Sequence, residues 1–91
     1  MSQNSLDNSV DEHLRVAVLE AFASDETIGP LNLRVGVLEA IVHLGGRAPS
    51  LKEWTKAEKI AASFPGVRGV VNRIEAPEAP RPSRTINLDI R

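Results

Sequence analysis

The groups in this chain able to do acid–base, nucleophilic or metal chemistry are two histidines, twelve carboxylates and scattered serines; cysteine is absent. His13 follows Glu12 on the polar side of an apolar-periodic stretch, and His43 sits on the outward side of an alternating one. A zinc or catalytic centre needs three or more converging groups, and neither histidine has them. The serines stand at segment starts and ends with no base spaced to activate them. The carboxylates gather on the first helical stretch and its ends rather than as an opposed pair. Without cysteine there is no disulfide, thiolate nucleophile or zinc–sulfur site. The expectation is a non-enzyme with no cofactor and no metal.

The pattern that does suggest chemistry is cationic. Lys52, Lys56 and Lys59, spaced four and three apart, form a basic ridge on one side of a helix. Trp54 lies in the same stretch, and its amphipathic ring suits a headgroup interface. Near an anionic membrane each lysine contributes about 1 kcal/mol. The ridge with Trp54 is therefore the candidate lipid-binding site. Against that stands the plainer reading, in which the lysines are a solvated face and Trp54 a core edge. Gly66-Val-Arg-Gly69 fits a Gly-x-x-Gly loop that clamps RNA, but such loops join two helices and this one leads into a strand. A pI near 6.1 and 3% aromatic residues also argue against nucleic acid.

Ninety-one residues suffice for one domain. Apolar residues at 42% and charged ones at 25% are ordinary for a folded soluble chain. No apolar run approaches the roughly 20 residues of a membrane span, and the first residues lack the basic and apolar stretches of a secretory signal. The expected location is cytoplasmic, with peripheral membrane contact. Net charge is −1 but uneven. Six carboxylates against Arg15 leave residues 1–29 at −5, and five cations against Glu53 and Glu58 leave residues 50–74 at +3.

Five segments must position these groups. After a flexible stretch to residue 9, Ser9-Val10-Asp11-Glu12 reads as a capping box opening a helix to about Ala23. Val10, Leu14, Ala17, Val18, Ala21 and Phe22 share its apolar arc. From Leu31 to Val37 the odd positions are apolar, the mark of a half-buried strand. Leu38-Glu39 is the expected hairpin tip, and Ala40 to Gly46 the second strand. Gly45-Gly46 closes it with a bulge or a close backbone approach. A second capping box, Ser50-Leu-Lys-Glu53, opens the helix that carries Trp54, Ala57, Ile60, Ala61 and Phe64 inward. Pro65-Gly66 stops it, with Gly66 placed to adopt a left-handed conformation past the helix end. Val67 to Glu75 is the third strand. Asn72 shares the face of Val70 and Ile74, so its amide must find partners or cost ~1–3 kcal/mol. The core spans 10–75. Residues 76–83, with three prolines in eight, form an extended linker. Residues 84–91 alternate again, with Ile86, Leu88 and Ile90 on one side, as an added edge strand or a frayed tail.

This order of helix, strand, strand, helix, strand, with its turn residues, resembles the BON domain of bacterial osmotically inducible and nodulation proteins. Val42-His-Leu44-Gly-Gly46 resembles the family's strand ending in Leu-x-Gly. Ser50 with Ala57 and Ile60-Ala61 matches its second helix. Gly66-Val67-Arg-Gly-Val70-Val-Asn72-Arg-Ile74 matches Gly-Val-x-x-Val-x-Asn-x-Ile. The resemblance implies an α+β fold, two helices packed on one face of a three-stranded mixed sheet. It also implies a binding module for phospholipid or membrane surfaces, or for partner proteins. The alternative to the lipid role is a protein–protein module or homodimer, using the open sheet face (Asn32, Arg34, Ile41, His43, Val71, Arg73) or the tail strand.

Overall fold

The computed structural model describes residues 2–79 and 83–86. Helix α1 (Ser2–Ser24) is followed by a single 3-10 turn (Gly29–Leu31), strands β1 (Arg34–Leu38) and β2 (Ile41–Gly45), helix α2 (Leu51–Ala62), and strands β3 (Gly69–Asn72) and β4 (Ser83–Ile86). The sheet order is β1-β2-β3-β4. β1 and β2 form an antiparallel hairpin, and β2 and β3 run parallel because α2 carries the chain back between them. The expected αββαβ core is present. β4 adds to its edge, antiparallel to β3, with Val70 opposite Thr85 and Val71 opposite Arg84. The tail thus pairs within its own chain at residues 83–86. Leu88 and Ile90 lie outside the described residues.

One sheet face is packed. Val42, Leu44, Val70 and Ile74 meet Val18 and Phe22 of α1 and Trp54, Ala57 and Ala61 of α2 in a single core, with Val35 and Val37 against it. Alternation sends Arg34, Gly36, Ile41, His43, Gly45 and Val71 to the other face, which carries no helix. Asn32 does not join them. It caps the 3-10 turn in a left-handed conformation before β1 begins, so only Arg34–Leu38 of the expected first strand is extended. Leu31 and Leu33 still reach the core.

Two expectations about α1 fail together. The helix starts at Ser2, so Ser9 lies inside it and caps nothing. Nothing in residues 2–8 is a glycine or proline, so the helix propagates past the motif. Val10, expected in the core arc, is exposed. What Asp11 does instead explains the hairpin. The tip is Glu39–Ala40, one residue later than the spacing suggests, and both residues have positive φ, 53° and 66°. Such a two-residue turn normally takes Asn-Gly. Here the Asp11 carboxylate accepts the backbone N–H groups of Glu39 and Ala40, both at 2.9 Å. Arg68 N–H, on the way into β3, donates to Ala40 O at 2.8 Å and closes the far side.

Two glycines are required by geometry. Gly46 has φ +121°, and a Cβ there would stand 3.0 Å from Leu33 Cδ2 and 3.4 Å from Leu33 Cα, so the close backbone approach expected at the end of β2 is real. Gly66 has φ +95° but is not the helix cap; Ser63 is. Val67 N–H donates to Phe64 O at 3.2 Å. Pro65 and a positive-φ Gly66 between them make a type II turn. Past β3 the parallel ladder continues irregularly, with Arg73 N–H to Leu44 O and Glu75 N–H to Gly46 O.

Between α1 and the 3-10 turn the acidic connector is folded on itself, and it reaches α2 through Lys56. Asp25 Oδ1 accepts the N–H groups of Thr27 and Ile28 and the Thr27 hydroxyl, while Oδ2 faces Lys56 Nζ at 3.0 Å. Ile28 is thereby pressed into the core at 1% exposure. The Lys56 ammonium first, then the Thr27 hydroxyl and the two N–H groups, hold the Asp25 carboxyl well below the usual carboxylate range.

Four outcomes are expected. Asp11→Ala should cost about 1–2 kcal/mol in urea denaturation, the loss of two hydrogen bonds at the tip. Ala40→Gly should regain roughly 1 kcal/mol by removing a left-handed alanine. By carboxyl NMR, Asp25 should stay ionised at a pH where exposed aspartates protonate, and Lys56→Met should bring its pKa back up. Its folded pKa is depressed, so its stabilisation is complete above the unfolded value near 3.9 and is lost as pH falls toward the folded one. Asn72→Ala should cost about 2–3 kcal/mol, since three bonds to a fully buried amide disappear.

Candidate functional site

The outer face of α2 is built by what its inner face must do. Trp54, Ala57 and Ala61 are buried. At 100° per residue, Lys52, Lys56 and Lys59 fall on the opposite side and are all exposed. The helix enters from Ser50, an extended N-cap whose hydroxyl donates to Glu53 Oε1. The box position is as expected but the bonding is not, for the Ser50 side chain makes no bond to a backbone N–H. That hydroxyl, ahead of the Glu53 N–H and the nearby Lys52 and Lys56, lowers the Glu53 pKa.

Asn72 sets how α2 is turned about its axis. It is fully buried, and its amide nitrogen donates to Trp54 O at 3.3 Å and Glu58 Oε1 at 3.2 Å. Its Oδ1 accepts Ile74 N–H at 3.0 Å. Val70 beside it packs in the core, and Val67 is buried where the type II turn delivers β3.

Trp54 does not join the lysines. It is 8% exposed in the core, and its Nε1 is buried with no hydrogen-bond partner among the described residues. An indole on that side cannot reach a headgroup without unpacking α2. The apolar residues beside the ridge are instead on its flank. Leu51 is exposed and Thr55 half-buried, and together with Lys52, Lys56 and Lys59 they line a shallow, mostly apolar groove of about 560 Å³. Leu51, Thr55 and Lys59 follow one another at four-residue steps. The exposure of Leu51 follows from the same 3.6-residue period that buries Trp54, Ala57 and Ala61.

The three lysines are not equivalent. Lys56 Nζ is held by Asp25 and accepted by Thr27 Oγ1 at 3.0 Å. Lys52 and Lys59 have no ion-pair partner among the described residues. The groove therefore presents two uncommitted ammonium groups, alkyl stems and one leucine. This arrangement can neutralise anionic groups and cover apolar surface, and it holds no nucleophile–base pair.

Elsewhere the site candidates stay apart. His13 is exposed on α1 and His43 half-buried on the bare sheet face. Among the described residues no three His, Cys, Asp or Glu are grouped to hold a metal. No described helix is long and apolar enough to cross a membrane.

Compared with known proteins, residues 10–78 match the family model of the BON domain. No curated protein matches the chain. The matched span runs from the third turn of the Asp11-bearing helix through β3 and ends before β4, so it takes in most of that helix and the hairpin, crossover and strand described above. On that match, which covers more than half of its length, the chain belongs to the BON domain family, a family of non-catalytic binding domains.

Proposed function

We propose that this chain is a binding module that docks on anionic phospholipid surfaces through the outer face of α2. The observation that supports the reading best is the pairing, in one groove, of Lys52 and Lys59 with the exposed Leu51. Family membership points the same way, since the BON domain is associated with phospholipid binding. At about 1 kcal/mol per lysine near an anionic surface, two uncommitted lysines and one leucine give weak attachment. Such attachment is reversible and sensitive to salt, because exposed charges are screened over a Debye length of about 8 Å at physiological ionic strength. Lys56 contributes less than its neighbours, since Asp25 already neutralises it.

Co-sedimentation with vesicles tests this. The chain should pellet with phosphatidylglycerol-containing vesicles and not with pure phosphatidylcholine, and the pelleted fraction should fall steeply between about 50 and 300 mM salt, as the Debye length shrinks from about 14 to about 6 Å. Lys52→Glu with Lys59→Glu should reduce binding to the phosphatidylcholine level while the circular dichroism spectrum is unchanged. Equal pelleting of the double variant and the parent would remove the ridge from the mechanism. Trp54 offers an internal control: because it stays in the core, its emission should not shift when vesicles are added.

A further inference from the structure

The sheet face opposite the helices holds a second cationic arrangement of a different kind. Arg34 of β1 is the register partner of Gly45 in β2. One step past the Leu44–Asn72 pair, Gly45 is followed across the sheet by Arg73, whose N–H donates to Leu44 O. Arg34, Gly45 and Arg73 thus form one cross-strand row, its two arginines about 10 Å apart at two strand spacings. Alternation confirms the side: Leu44, Asn72 and Ile74 face the core, and Arg34 and Arg73 are exposed. The Arg34 guanidinium leans over the glycine, its terminal nitrogen 3.5 Å from where a Gly45 Cβ would stand.

Neither arginine has an ion-pair partner among the described residues. Two residues past Arg73, beyond the end of β3, Glu75 is paired with Arg47 at 3.4 Å. His43 occupies the next row along β2, beside Gly36, where a Cβ would meet nothing within 4 Å. With no Cβ at Gly45 to lift it, the Arg34 guanidinium lies close over the sheet, Arg73 is exposed in the same row, and neither fork is ion-paired among the described residues. Lysines on α2 are point charges suited to a diffuse anionic surface. Arginine forks are suited to a discrete oxyanion, which they bind through paired N–H groups.

We propose that the Arg34–Gly45–Arg73 row is a binding site for a phosphate group, separate from the α2 groove and on the opposite face of the molecule. Gly45 lets the Arg34 guanidinium lie down along the sheet toward Arg73, and the anion sits on the outer side of the two guanidinium groups. A free phosphate and a lipid headgroup share this chemistry.

The test uses the full ¹⁵N-labelled chain titrated with inorganic phosphate, against sodium chloride at matched ionic strength. Saturable shifts of the Arg34, Gly45 and Arg73 backbone amides with phosphate alone are expected. Arg34→Gln with Arg73→Gln should weaken the response at least about tenfold, the loss of charged hydrogen bonds, with an unchanged melting temperature. Arg34→Lys with Arg73→Lys keeps the charge and removes the forks; it should retain only part of the affinity, and it stands in should the glutamine pair fail to fold. Pelleting with phosphatidic acid vesicles is measured in the Lys52→Glu, Lys59→Glu background, where the α2 groove no longer contributes: residual pelleting that the glutamine pair removes makes the phosphate a headgroup, and no pelleting while the amide response persists makes it a soluble one. Shifts that chloride reproduces, or that survive both double variants, overturn the site. Lys52→Glu with Lys59→Glu should leave the response intact, so failure here and failure of the α2 reading are told apart.

Discussion

The buried amide of Asn72 is the constraint on which the rest of the arrangement depends. One side chain, with no exposed surface, bonds a backbone carbonyl of α2, a carboxylate one turn further along that helix, and the N–H two residues ahead in its own strand. A helix lying on a sheet by apolar contact alone can rotate or slide at small cost, because hydrophobic attraction has no direction. Hydrogen bonds to Trp54 O and Glu58 remove that freedom. With the inner face set, the outward direction of Lys52, Lys56 and Lys59 follows from 3.6 residues per turn.

Patterns of period two and 3.6 carried the architecture in the sequence, because burial acts on every residue of a strand or helix. Val42 and Leu44, and Trp54, Ala57 and Ala61, went where alternation and the helical stripe put them. Local motifs served less well. Ser9 to Glu12 has the spacing of a capping box, yet such a box is only a start signal where the helix has somewhere to start, and nothing upstream stops it. The hairpin tip was displaced because its conformation is not set by its own residues. Glu39 and Ala40 have no preference for positive φ. They are held there by Asp11, 28 and 29 residues earlier, and no local window contains that bond.

The candidate site shows the same division. The lysine ridge was legible because exposure follows from the stripe opposite. Two features were not. Trp54 reads equally as an anchor for an interface or as core, and only the depth of packing over β2 and β3 decides. The loss of Lys56 to Asp25 depends on how the Asp25–Ile28 connector folds, which brings together residues 31 apart in sequence. The acidic excess of residues 1–29 and the basic excess of residues 50–74 look like two patches on a charge plot. Part of that contrast is consumed internally at this pair.

A domain of this size has little core to spend on fixing its loops. Asp11, Asp25 and Asn72 supply what the core cannot. Each is a short polar side chain that accepts or donates to several backbone groups at a junction: α1 to the hairpin, α1 to α2, and α2 to β3. Such bonds add little net stability, about 1 kcal/mol apiece, but leaving their partners unmade inside the fold costs more. They therefore act mainly on alternatives, penalising any arrangement in which the junction shifts. The exposed cations need no such ties. Lys52 and Lys59 on α2, and Arg34 and Arg73 on the bare sheet, stand on elements whose orientation is already determined, so their charges are presented at fixed places on opposite faces of one small scaffold.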